Sequence, residues 1–140
     1  GYPYPGGPCI DKLAKDGNPE AILFPRSLQE KNNFEFSFSG LKSAVLNYLH
    51  TQEQKNLPYN PADVAASFQK TVIDTLVDKT MAAAACCGLS KIALAGGVAA
   101  NSGLRQTLTT AALAHGYELF IPDTILYRNT VGIPANIITI

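Results

Sequence analysis

Residues 95–105 of this 140-residue chain read Ala-Gly-Gly-Val-Ala-Ala-Asn-Ser-Gly-Leu-Arg, and they offer its plainest opportunity for chemistry. A short apolar run, Lys91-Ile92-Ala93-Leu94-Ala95, stops at Gly96 and Gly97, and a helix can begin from Asn101 or Ser102. Two residues without side chains allow bare backbone to lie against a flat ligand. The amides that open a helix have no intrahelical acceptors and favour a negative group. In open α/β sheets, ligands sit beyond the carboxyl ends of strands, where such a turn lies. The spacing matches neither a Walker loop nor a Rossmann fingerprint. On the residues alone, a tight strand-to-helix turn with Asn101 as an ordinary cap stands as the alternative.

The other reactive side chains are scattered. Cys9 stands apart from the adjacent Cys86 and Cys87. An odd count with two neighbours makes a poor disulfide framework and lacks the two-residue gap of a zinc knuckle. Reduced thiols with a structural role in a cytoplasmic protein are the expectation. His50 and His115 are too isolated for a metal site, and His115 beside Gly116 suits a helix C-terminus. No HExxH segment or other zinc cluster supports hydrolysis.

The elements that must position these residues follow from the apolar period. Gly1-Tyr2-Pro3-Tyr4-Pro5-Gly6-Gly7-Pro8 is dense in turn formers and reads as irregular. Pro8 suits the first turn of a short helix over residues 10–15, ending near Gly17. Residues 18–37 read as loop with extended pieces, since 34–38 alternate with period two. Ser39 can cap a helix through Leu41, Val45, Tyr48 and Leu49 that fades by Thr51.

The clearest helix starts at Asn60 as N-cap, with Pro61 first and Asp63 at the positive end. Val64, Phe68, Val72 and Leu76 repeat along it for about seven turns, to Gly88. Its alanine run, 82–85, lets a neighbour pack closely. After the strand at 91–95, a helix through Leu104, Leu108, Ala111 and Ala112 reaches Gly116, and 117–121 is the next strand. This strand-helix-strand unit predicts parallel strands with a right-handed crossover. The fold class is therefore helix-rich α/β.

Bulk composition sets limits. Hydrophobic residues are 46% and charged residues 16%, an ordinary globular balance. Eleven basic and eleven acidic side chains cancel, so the chain as a whole exerts no general pull on a nucleic-acid backbone. No apolar run approaches bilayer length and nothing resembles a signal peptide, so no membrane partner is expected. The first residue is Gly1 rather than Met, as expected of a piece of a longer protein.

The residues also carry a likeness. Gly-Gly-Val-Ala-Ala-Asn-Ser-Gly-Leu-Arg at 96–105 closely resembles the adenosine-side motif of the TsaD family, also called Gcp or glycoprotease-like. Tyr4-Pro5-Gly6-Gly7-Pro8, Phe24-Pro25-Arg26, Phe36-Ser37-Phe38-Ser39-Gly40-Leu41-Lys42 and Ala65-Ala66-Ser67-Phe68-Gln69 resemble that family too, in its order and spacing. The resemblance covers residues 1–123, leaving 124–140 as a divergent tail. It implies part of the second lobe of an actin-like ATPase (ASKHA, ribonuclease H-like) fold. It implies transfer of a threonylcarbamoyl group from threonylcarbamoyl-AMP to N6 of an adenosine beside the anticodon of tRNA. TsaB-like and TsaE-like accessory proteins are the implied partners.

Carried over by position, the resemblance implies that Gly7 and Asp11 meet the ribose region of a nucleotide, threonylcarbamoyl-AMP or ATP. It makes Asn101 a polar contact and Gly96 and Gly97 a backbone wall near the adenine. Without it, Gly7 reads as a turn residue and Asp11 as a helix-start carboxylate. Lys42 is a candidate to reach phosphate or tRNA, although ring packing and helix capping account for most of residues 36–42.

The family's iron or zinc site uses two histidines on a helix of the first lobe and an aspartate from a late Cys-Thr-Asp-Asn-like segment. This sequence lacks those histidines, and after Pro122 it reads Asp123-Thr124-Ile125-Leu126-Tyr127-Arg128-Asn129-Thr130, with no aspartate following Tyr127. No metal is therefore expected to bind, and the chain alone is expected to be inactive. A free-standing lobe that self-associates through an uncovered face and the metallopeptidase (O-sialoglycoprotein endopeptidase) activity of the older family label are the two alternatives.

Overall fold

The structure, a computed structural model, describes residues 6–30, 33–121 and 138–139. Its helices are α1 (Gly6–Ala14), α2 (Ser39–Gln54), α3 (Pro61–Cys87) and α4 (Ser102–His115). Its strands are β1 (Lys91–Ala93), β2 (Glu118–Phe120) and β3 (Ile138–Thr139), and a single 3-10 turn covers Gly97–Ala100. This is the helix-rich α/β class expected. The chain divides into two compact units, Gly1–Glu30 with Glu35–Thr75, and Lys31–Phe34 with Leu76–Ile140.

The first unit is built on the N-terminal part of α3. Asn60 caps that helix as its sequence predicts, its Oδ1 accepting from the Ala62 amide at 3.0 Å. Asp63, read as a charge favouring the helix dipole, also accepts from the Asn18 amide at 2.8 Å. Further along, the Ser67 hydroxyl accepts from the Ile22 amide at 3.1 Å and donates to the Asn18 carbonyl at 3.3 Å. Arg26 closes the series, its Nε donating to Thr75 Oγ1 and its Nη2 to the Asp74 carbonyl, each at 3.1 Å. Residues 18–26 have no regular structure, so side chains of α3 satisfy backbone groups that a sheet would otherwise pair.

Against this strap packs α2. Leu41, Phe24 and Val64 form the buried centre, with Val45, Tyr48, Leu49, Phe68 and Val72 around it. Phe24 and Tyr48 meet edge to face, ring centres 6.1 Å apart. The apolar spacing of both helices had indicated these residues apart from Phe24, which lies outside them.

Several boundaries depart from the sequence reading. Helix α1 begins at Gly6, so Gly6, Gly7 and Pro8 belong to regular structure rather than to an irregular opening. Proline has no amide to lose in a first turn, which is why Pro8 does not delay the helix. Ser39 is the first residue of α2, not its cap; Phe38 holds that position without a side-chain bond, and Ser39 Oγ instead lies 3.0 Å from Ser37 Oγ. The helix runs on to Gln54, past Thr51. Residues 33–38 form no strand despite their alternation. Phe36 and Phe38 stack on each other, centroids 6.5 Å apart, and a ring pair on one side gives the same period of two.

In the second unit the sheet order is β2-β1-β3, parallel throughout. Lys91 to Ala93 pair with Glu118 to Phe120, and the Leu94 amide adds a bond to the Phe120 carbonyl at 2.9 Å. Ile92, Ala93 and Leu94 are buried at the sheet's centre, and α4 buries Leu104, Leu108 and Ala112 at four-residue spacing. β3 had no counterpart in the sequence reading. Of the alanine run, only Ala84 is fully buried, while Ala82 and Ala85 are exposed. Among the described residues no helix is long and apolar enough to cross a membrane.

Candidate functional site

The turn after β1 is built from below. Ile92 and Leu94 are fully buried, Ala95 is half-buried, and then Gly96, Gly97 and Val98 come out exposed. Gly96 has φ 78° and ψ −173°, a region that side-chain-bearing residues scarcely enter. This dihedral lets a buried strand leave the sheet sharply. Ala99, fully buried, anchors the 3-10 turn, whose Ala99 amide donates to the Gly96 carbonyl at 3.2 Å and Asn101 amide to the Val98 carbonyl at 3.0 Å.

Asn101 does what an N-cap does: its Oδ1 accepts from the Leu104 amide at 2.8 Å. The helix it starts ends at Gly116 with φ 70°, whose amide bonds back to the last turn. His115 Nδ1 lies 2.9 Å from the Ala111 carbonyl, the helix-end position its sequence suggests.

The glycines differ in what they do for the fold. A Cβ at Gly96 or Gly97 would meet no described atom within 4 Å. Gly97 has neither a left-handed φ nor a close neighbour, so nothing described in the structure requires its lack of a side chain. Open backbone faces outward at the carboxyl end of a central parallel strand, as the sequence predicts.

Gly96, Gly97 and Asn101 are thus brought together in one turn of the second unit. Gly7 and Asp11 lie on α1 in the first unit. Asp11 is half-buried in the middle of α1, not at the helix start that its alternative reading required. Gly7 is in the helix's first turn, and a Cβ there would also meet no described atom within 4 Å. Lys42 is exposed on α2. Cys9, Cys86 and Cys87 are free thiols, and the latter two are exposed rather than packed into a core.

The model of the family described as TsaD, tRNA N6-adenosine threonylcarbamoyltransferase, matches residues 1–134. The chain belongs to the TsaD family. A tRNA N6-adenosine threonylcarbamoyltransferase of Clostridium botulinum (strain 657 / Type Ba4) is 56% identical over 126 residues, covering 90% of this chain and 37% of that protein. One of Moorella thermoacetica is 56% identical over 122 residues, 87% of this chain and 36% of its own length. One of Geotalea daltonii is 51% identical over 135 residues, 96% of this chain and 40% of its length. The chain therefore spans well under half the length of these TsaD relatives. Their descriptions name a transferase and not a peptidase. The TsaD match runs on to residue 134, past the 123 at which the motifs quoted above end. The segment after Tyr127, where the reading of the TsaD metal site turned on an absent aspartate, lies outside the described residues.

Two features of the site carried no sequence expectation. The 3-10 turn at Gly97–Ala100 is too short to leave a period. Arg105 Nε donates to the Ala99 carbonyl at 2.6 Å. The signal for it was present, since a cation in the first turn of a helix opposes the helix dipole.

Proposed function

We propose that this chain supplies part of the nucleotide side of a tRNA threonylcarbamoyladenosine-forming transferase, and that it is inactive alone. In this reading it is part of the second lobe of an actin-like fold. The observation that carries it is the exposed, side-chain-free backbone of Gly96 and Gly97 at the end of buried β1. An adenine ring can lie flat on such a wall, and the α4 start beside it favours the anionic end of threonylcarbamoyl-AMP or ATP. Asn101 holds the turn by its cap and offers a polar edge. tRNA and the accessory proteins act with the whole transferase, in the cytoplasm.

Among the described residues no three His, Cys, Asp or Glu side chains come together as a metal site. Inactivity rests on the share of the relatives' length that this chain represents.

A titration of isotopically labelled chain with AMP or ATP, followed by amide resonances, tests the reading. The expected result is fast-exchange shifts centred on Gly96 and Gly97. With one wall of a cleft, the dissociation constant should be on the order of 1 mM, worth about 4 kcal/mol. Saturating nucleotide that leaves both glycines unmoved would refute it. Product formed on unmodified tRNA by this chain alone would refute the inactivity.

A further inference from the structure

Arg105 breaks a local rule. It stands in the first turn of α4, where the helix dipole favours an anion and disfavours a cation by up to about 1 kcal/mol. Residues that oppose a local preference are where a functional reason is to be sought. Its Nε bond to Ala99, at 2.6 Å, is charge-assisted and short. Ala99 is the buried residue of the turn, and 96–98 before it are exposed. Side-chain ties that join the turn to α4 include Arg105 to the Ala99 carbonyl and the Leu104 amide to Asn101 Oδ1, beside the backbone bond from the Arg105 amide to the Asn101 carbonyl at 3.2 Å. Gly96 and Gly97 have the least intrinsic backbone restraint of any residue type, so without such ties the wall would sample many shapes. Ordering it only on binding would weaken affinity by the entropy lost at that moment.

We propose that Arg105 is a positioning residue, whose hold on the Ala99 carbonyl keeps the backbone of 96–98 in its nucleotide-ready form; this rests on the nucleotide reading above. Arg105 acts through the turn and is assigned no contact with the ligand.

The test compares the 140-residue chain with its Arg105→Ala and Arg105→Lys variants. Amide exchange is read first, without nucleotide. In Arg105→Ala the Ala99 and Asn101 amides should exchange about tenfold faster, with the Ile92 and Leu94 amides unchanged. AMP is then titrated, and the initial slope of the Gly97 shift should fall about tenfold in Arg105→Ala. Arg105→Lys, whose ammonium can still donate to a carbonyl, should recover most of both.

Unchanged exchange in Arg105→Ala overturns the proposal, as does faster exchange with an unaltered AMP slope. Loss of protection throughout β1 and α4 in both variants also overturns it, because Arg105 would then hold the whole unit. A wild-type chain with no AMP response defeats the nucleotide reading and the positioning role together. Exchange measured beforehand still tells that failure apart from failure of the brace.

Discussion

Gly17 and Gly97 are both glycines next to helices, and their surroundings are opposite. A Cβ at Gly17 would sit 2.0 Å from the Ala62 carbonyl oxygen and 2.8 Å from the Asp63 amide nitrogen. The strap of the first unit can reach α3 only because that position is bare. A Cβ at Gly97 would meet nothing described within 4 Å. One glycine is needed by the chain's own packing, and the other has no such cause among the described residues. The difference separates glycine as a structural necessity from glycine as space kept for something else.

Breaking the first side of this comparison should have the largest effect. Gly17→Ala forces backbone against backbone, which no rotamer change relieves. A loss of about 3 kcal/mol is expected, read as a lower urea midpoint with an unchanged slope. An unshifted midpoint would mean that the strap does not lie against Ala62.

Asn101→Ala tests the frame of the turn rather than its open face. Removing the bond to the Leu104 amide should cost about 1 kcal/mol and speed exchange in the first turn of α4. Ser102 taking over as cap would appear as a loss of only a few tenths of a kcal/mol.

Gly97→Ala sharpens the other side. Stability should change by less than about 0.5 kcal/mol, since the new methyl has room and φ is ordinary. The nucleotide-induced shifts should nevertheless shrink, because the methyl stands where the base would lie. A variant that keeps full response would return Gly97 to an incidental role.

The smallest effect concerns the surface of the strap. Lys70 bonds Asp74 and faces Glu20 at 3.7 Å. The hydrogen bond to Asp74, with the two negative charges, raises the Lys70 pKa, although burial works against it. A raised folded-state pKa means that the stabilisation is fully present below the unfolded value and is lost as pH climbs through the folded one. Stability should therefore fall slightly only above the ordinary lysine pKa of about 10.4, and Lys70→Met should remove that component. Both carboxylates and the ammonium are substantially exposed, so the effect is expected at a few tenths of a kcal/mol.

What the sequence made legible was periodic or local. Val64, Phe68 and Val72 declared a helix face, Asn60 and Asn101 declared caps, and Ile92-Ala93-Leu94 declared a buried strand ending at glycines. What it hid was long-range or shared a period with something else. The bonds from Asp63, Ser67 and Thr75 to residues 18–26 connect polar side chains across more than forty residues, with no repeat to announce them. Phe34 to Phe38 alternated like a strand because two rings stack. The site was legible in the same uneven way. Gly96, Gly97 and Asn101 stood out by type and spacing, while the brace from Arg105 to a carbonyl six residues back leaves no pattern, and the alternative reading of Asp11 put it at the wrong part of its helix.

The parallel pairing of β1 has a consequence for how the chain is made. Lys91 to Ala93 find one neighbour soon, in β2, after a single helix. The other neighbour is β3, where Ile92 meets Ile138. In a polypeptide emerging from the ribosome, one margin of β1 stays uncovered until Ile138 has left the exit tunnel. Closing so long a loop adds little to the final free energy, because that cost grows only with the logarithm of length, but it delays completion of the sheet. For that interval Ile92 and its backbone groups form an adhesive strip, the state in which a nascent chain is most prone to pair with a neighbour or to recruit a chaperone.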